Sequence, residues 1–132
     1  MRASGLPYTI VRPGWFDYND DDQHQLVMLQ GDTRHAGTAE DGVIARRQIA
    51  EVLVASLTLD EARNKTFELV AERGPEPQDL APLFAAVTVD DASAQDGVGD
   101  ADNMSLDQEP AQVLADLQAI RPSGAASAGG VA

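Results

Sequence analysis

The sequence predicts an α/β fold in which parallel strands are joined by a crossover helix, and three stretches carry that reading. Leu6 to Phe16, LPYTIVRPGWF, is an apolar run that ends in a Pro-Gly turn. An apolar stripe at helical spacing begins near Arg46, and residues 66–70 form a short alternating run. Strand, helix and parallel strand in that order make a right-handed unit.

Within the first stretch, Tyr8, Thr9, Ile10 and Val11 are β-branched or aromatic, the composition of a strand covered on both faces of a parallel sheet. The strand is expected over about 8–12. Pro13 cannot continue a hydrogen-bonded ladder and Gly14 relaxes the limits on φ, so the chain turns away at the carboxyl edge of the strand. In open α/β sheets that edge is where ligands bind. Asp17 to Gln25 is a polar loop whose aspartates face water, and Leu26 to Leu29 is a short apolar run read as a strand, closed by the turn signal Gly31-Asp32. The stretch from Thr33 to Gly42, rich in Gly, Thr and charge, reads as a loop lying over a ligand cleft.

The crossover helix is expected over about 46–58, with Ile49, Val52, Leu53 and Leu57 on the face that meets the sheet. Thr66 to Val70 alternates as a strand near the sheet edge does. Gly74-Pro75-Glu76-Pro77 then breaks the chain, and 78–87 offers a short helix with Leu80, Leu83, Phe84 and Val87 inward and Pro82 in its first turn. Residues 90–109 hold seven acidic side chains and no basic one, which predicts an exposed linker. A last helix capped by Ser105 or Asp107 carries Pro110 in its first turn and a stripe of Val113, Leu114, Leu117 and Ile120. From 122 to 132 the chain is almost wholly Ala, Gly and Ser, a composition of disorder. The expected organisation is therefore a sheet domain over 1–74, a helical appendage over 75–121 with an acidic linker at 90–105, and a disordered tail over 122–132.

With 132 residues the chain suffices for one domain of modest core. Its 22 acidic and 9 basic side chains give a formal charge of -13, which repels polyanions and argues against nucleic acid as a partner. There is no cysteine, hence no disulfide and no thiolate metal site. Neither a membrane-spanning apolar run nor a leader pattern is present, so a soluble cytoplasmic protein without membrane partners is expected.

The string Ala3-Ser4-Gly5-Leu6-Pro7-Tyr8-Thr9-Ile10-Val11-Arg12-Pro13-Gly14 resembles the sixth-strand region of atypical short-chain dehydrogenase/reductases. That NAD(P)-binding group includes NmrA-like and nucleoside-diphosphate-sugar-epimerase-like proteins. Val43 to Leu53 is similar to the start of the family's I-S-R-x-D-V-A helix, and Lys65 to Val70 to its last parallel strand. The resemblance covers about residues 2–72. It implies the C-terminal part of a Rossmann-like parallel sheet, NAD or NADP as cofactor, and either oxidoreduction or epimerisation, or dinucleotide sensing without turnover. Gln48 stands where the family usually has Asp.

The resemblance also implies that the loop after the first strand lies beside the nicotinamide ring, which makes Pro13, Gly14, Trp15 and Phe16 the cofactor-side candidates. On the alternative reading, Pro-Gly merely ends a strand while Trp15 and Phe16 plug the core. Arg46, at the helix start, offers a planar fork of donors to an anionic substrate or cofactor group. Its alternative is a salt bridge to a nearby carboxylate, and Arg12 is expected to pair structurally as well.

Two family features are missing. No apolar strand leads into a Gly-rich phosphate-binding turn, since Gly97-Val98-Gly99 sits in an acidic stretch and lacks a third glycine. A Tyr-x-x-x-Lys pair is absent too, because Tyr8 is followed by Arg12 and Tyr18 by Asp22. No catalytic residue is therefore assigned. With Met1 directly before the motif, the chain reads as the back half of a longer fold, awaiting an N-terminal half, self-associating through the Tyr8–Val11 edge, or persisting as an inactive truncated remnant. Aspartates 17, 20, 21 and 22 fail a calcium-loop pattern, which needs Gly and Glu where Asp22 and Met28 stand. His24 and His35 lack zinc-site spacing, and no serine has a nucleophile-elbow setting.

Overall fold

The computed structural model describes residues 1–91, 98 and 108–129. Five strands form one sheet: β1 Thr9–Pro13, β2 Trp15–Phe16, β3 Gln25–Leu29, β4 Val43–Ile44 and β5 Lys65–Glu72. Helix α1, Arg46–Ser56, connects β4 to β5, and α2 Ala81–Ala86 and α3 Ala111–Gly129 follow. β1 runs parallel to β5, with Thr9 opposite Lys65 and Pro13 opposite Leu69. β2 runs parallel to β4. β3 adds to the other side of β5 in antiparallel register, and a single antiparallel contact, Val43 with Ala71, joins β4 to β5. The architecture is mixed α/β, in keeping with part of a Rossmann-like fold.

The last strand is central where its alternation suggests an edge. β5 has strand neighbours on both sides, and seven of its eight residues are buried or half-buried. Alternation signals two unlike faces, and a sheet covered by helices on one face and by a loop on the other gives the same pattern. β1 takes the edge instead, and its residues are only half-buried.

Phe67 and Leu69 on β5 are fully buried and pack with Leu26, Ile44, Val52 and Phe84. The Phe67 and Phe84 rings meet edge to face with centroids 5.8 Å apart, a favoured geometry for their quadrupoles. Helix α1 buries Val52 and half-buries Ile49, but Leu53 and Leu57 are 47% and 82% exposed, so the predicted stripe is rotated. The place toward the core goes to Gln48, fully buried, whose Nε2 donates to the His24 carbonyl at 2.9 Å. A hydrogen bond unseen in the hydropathy pattern thus decides which face turns inward. On α3, Leu114 and Leu117 are half-buried while Val113 and Ile120 are exposed.

Asp90 also departs from expectation. It falls at the start of the predicted linker yet is buried, accepting from Tyr8 Oη at 2.9 Å and Thr66 Oγ1 at 2.7 Å and pairing with Arg2 Nε at 3.3 Å. Its backbone N–H donates to the Asn64 carbonyl at 2.8 Å. Donors from three parts of the chain offset the desolvation of one carboxylate. Beyond Asp91, the expected acidic linker and Gly97-Val98-Gly99 lie outside the described residues, Val98 apart. α3 continues past Pro122 to Gly129, into the segment whose composition predicts a disordered tail. Ala125, Ala126 and Ala128 there are strong helix formers. Among the described residues no helix is long and apolar enough to cross a membrane.

Burial, then the Asp90 carboxylate, push the Tyr8 phenol from its ordinary value of 10.0 up to about 12. The folded state thus holds this proton more tightly than the unfolded chain does. Stability from Tyr8 is fully present below pH 10 and is lost as pH rises through about 12. Spectrophotometric titration should show one phenol that resists ionisation until about 12, and Tyr8→Phe should remove that step. A Tyr8 that ionises at its ordinary value would contradict the network.

Candidate functional site

A cleft of about 580 Å³ opens where β1 ends, and Pro13, Gly14, Trp15, Phe16 and Arg46 all line it. The structure thus brings the four cofactor-side candidates and Arg46 to one cleft. Gly14 is its pivot. Its N–H donates to the Leu69 carbonyl on β5, and the next N–H, of Trp15, donates to the Gly42 carbonyl beside β4, both at 2.9 Å. The chain therefore leaves one strand and joins another within a single residue. A Cβ on Gly14 would lie 2.6 Å from the Gly42 oxygen, closer than real Cβ atoms approach. Gly42 itself has φ 124°, and a side chain there would run into Val70. The Pro-Gly step is thus a place of close backbone packing, the demand that glycine alone meets.

Trp15 and Phe16 are 40% and 46% exposed, so they line the cleft and do not plug the core. Tyr18 stands edge-on to Trp15, with centroids 6.1 Å apart, and also lines the cleft. Half of the six aromatic side chains of the protein gather here.

Asp17 explains how Arg46 is placed. It has a left-handed φ of 61°, its N–H donates to the Ile44 carbonyl, and its Oδ1 accepts the Arg46 N–H at 3.0 Å. That bond satisfies an orphan donor at the first turn of α1, where Ala45 has no capping side chain. Asp17 Oδ2 also pairs with Arg46 Nε at 2.8 Å. Arg46 therefore lines the cleft and is salt-bridged to Asp17, as its alternative reading expects. With the two side chains 72% and 51% exposed, the pair contributes at most about 1 kcal/mol.

The loop over 33–42 does lie at the cleft, through Arg34 and Asp41. The Asp41 carboxylate accepts the N–H groups of Ala36 at 2.7 Å and Gly37 at 2.8 Å, folding the loop onto itself. The Ala36 N–H, with smaller contributions from Gly37 and Trp15, holds the Asp41 carboxyl below the ordinary aspartate range. Arg34 Nη1 donates to the Asp41 carbonyl at 3.2 Å, and Arg12 pairs with Asp32 at 3.6 Å as expected. Glu68 and Val70 complete the floor on the face of β5 opposite Phe67 and Leu69.

Sequence reasoning missed Glu68, Asp41 and Asp17 as parts of this site. Glu68 was legible as the polar member of an alternating strand. Asp41 and Asp17 act through loop amides, which leave no periodic signal. The one lysine, Lys65, is buried and donates to the Phe84 carbonyl at 2.7 Å, away from the cleft lining. Asp20 and Asp22 hold Arg73, at 2.8 Å and 2.5 Å. No group of three or more His, Cys, Asp or Glu among the described residues is placed to hold a metal ion.

Residues 1–60 match a family model described as NAD(P)H-binding. Sanguinarine reductase of Eschscholzia californica is 35% identical over 91 residues, covering 67% of this chain and 33% of that protein. Two uncharacterized chloroplastic proteins of Arabidopsis thaliana are 35% and 37% identical, over 67% and 66% of this chain and 27% and 29% of their own lengths. The chain spans no more than about a third of the curated relatives it matches.

Gly14→Ala should force the β1 end away from Gly42 and destabilise the fold by roughly 1–3 kcal/mol, the cost of overpacking against backbone. Urea unfolding measures it. An unchanged midpoint would show that the close approach is not required.

Proposed function

We propose that this chain, whose residues 1–60 match an NAD(P)H-binding family model and which is similar to a reductase, forms the nicotinamide and substrate side of an NAD(P)-dependent oxidoreductase or epimerase site of the short-chain dehydrogenase/reductase type. The observation that carries this is the convergence of Pro13, Gly14, Trp15, Phe16 and Arg46 on one cleft at the carboxyl end of a parallel strand. A nicotinamide dinucleotide, when bound, supplies or accepts hydride. The residues fit its nicotinamide end: Trp15 and Phe16 offer exposed ring surface, and Arg46 offers charged donors at the rim. A volume of about 580 Å³ falls within the size of small-molecule sites.

Nothing among the described residues supplies a Gly-rich cradle for the pyrophosphate. We propose that an N-terminal half, or a second copy meeting the open β1 edge, completes the site. The reading keeps the cytoplasmic setting expected from the sequence, although two relatives are named as chloroplastic.

A non-catalytic, dinucleotide-sensing role is the second reading, and the position of Lys65 favours it. Its ammonium is held inside the fold by the Phe84 carbonyl, so the tyrosine of the cleft, Tyr18, has no lysine beside it among the lining residues. Proton transfer to a substrate then lacks the usual pairing of a phenol with a lysine.

Calorimetric titration of the folded chain with NADPH and NADH tests the proposal. Saturable binding of defined stoichiometry is expected. Arg46→Gln should weaken it about tenfold, the effect of losing one charge-assisted hydrogen bond of roughly 1.5 kcal/mol. A folded chain that takes up neither dinucleotide overturns completion of the site by a second copy and leaves a fragment awaiting an N-terminal half, or a module without catalysis.

A further inference from the structure

The side of β1 that faces away from β5 has no strand beside it among the described residues, and its geometry can be read residue by residue. The Tyr8 carbonyl accepts the Asn64 N–H and the Gly14 N–H donates to the Leu69 carbonyl, so the even-numbered residues of this stretch bond toward β5. By alternation, Thr9 and Val11 turn their N–H and C=O groups to the open side. Pro7 and Pro13 share that outward phase, equally spaced on either side of Ile10, and neither has an N–H to offer. They bracket the open edge symmetrically.

Beside this edge lies a groove of about 490 Å³ between the start of β1 and the outer face of α1. Val54 and Leu57 line it at 67% and 82% exposure together with Leu53, and Leu6, next to Pro7, is 67% exposed. Arg63, paired with Asp60 at 3.1 Å, is the one charged residue of the lining. In a chain of formal charge -13, a lining without a carboxylate is where two like molecules meet with least repulsion.

We propose that a second copy of this chain docks here, with its β1 antiparallel to the first about a two-fold axis through Ile10. Ile10 then meets its own counterpart, and Thr9 of each copy exchanges backbone hydrogen bonds with Val11 of the other, about four bonds in all. Pro7 of each copy falls opposite Pro13 of the other, so the brackets coincide. The two α1 helices lie on the same side of the joined sheet, where Leu53, Val54 and Leu57 are covered. The same register sets Leu6 of the second copy opposite Gly14, so each copy adds an apolar side chain at the Gly14 end of its partner's cleft. This seam depends on the strand edge and not on what the cleft holds, so self-association and dinucleotide binding are tested apart.

Sedimentation velocity of the native chain should show a monomer–dimer equilibrium, with dimer prevailing above roughly 50 μM, as a seam of modest size gives. Val54→Glu combined with Leu57→Glu, both at exposed positions, should weaken it at least about tenfold while circular dichroism stays unchanged. Because the chain has no cysteine, a single introduced thiol reports the register. Ile10→Cys should oxidise to a disulfide-linked dimer, since directly opposite residues of this non-hydrogen-bonded kind bring Cα atoms to about 4.5 Å, within disulfide reach. Thr33→Cys, in the loop over the cleft, measures chance collision and should stay monomeric under the same oxidant.

A folded native chain that remains monomeric at about 200 μM overturns the inference, whatever it does with NADPH. So does a dimer that Val54→Glu with Leu57→Glu leaves intact, or one in which Ile10→Cys is trapped no better than Thr33→Cys. A dimer trapped at Ile10 that takes up no dinucleotide sustains the seam and removes only completion of the cleft by the second copy.

Discussion

Strand β5 is the constraint on which the remaining structure depends, because β1, β3 and β4 all hydrogen-bond to it and β2 reaches it through β4. Eight residues serve two environments at once. Phe67 and Leu69 turn toward α1 and α2 and fill the core, while Glu68 and Val70 turn the other way and floor the cleft. Period-two alternation separates the demands of folding from those of binding within one segment. The partition has a limit at Val70, which is buried and also blocks any side chain on Gly42. Packing of the core strand therefore sets how closely β4 approaches, and with it the width of the cleft at Gly14.

Three aspartates show how a strongly acidic chain uses its charge. Asp17 begins α1, Asp41 closes the loop over the cleft, and Asp90 ties Arg2, Tyr8 and Thr66 together. Asp17 and Asp41 accept backbone amides, and Asp90 accepts side-chain donors from Arg2, Tyr8 and Thr66. Their work is local organisation, and only Asp90 does it inside the protein.

Much of the fold and the gathering of the site were legible in the sequence for physical reasons. Tyr8 to Val11 followed by Pro13-Gly14 specifies a strand with a hard stop, and the stop is where the cleft lies. The spacing of Ile49 and Val52 finds α1. What the sequence concealed was set by contacts distant along the chain. Gln48 displaces Leu53 and Leu57 from the buried face through a bond to His24, and Asp90 is buried by donors 24 to 88 residues away. Propensity and periodicity are local, so neither registers such partners. The central place of β5 was hidden similarly, since a strand's own residues do not record how many neighbours it has.

The treatment of Lys65 has a consequence for how this protein meets the enzymes of the cell. Its Nζ is the only ε-amine in the chain and is enclosed at the end of α2 against the Phe84 carbonyl. Reactions at a lysine ε-amine meet this group shielded in the folded chain. Positive charge at the surface comes from arginine, which such reactions do not modify. Opening of the packing around α2 is what would bring this one ε-amine of the 132 residues to solvent.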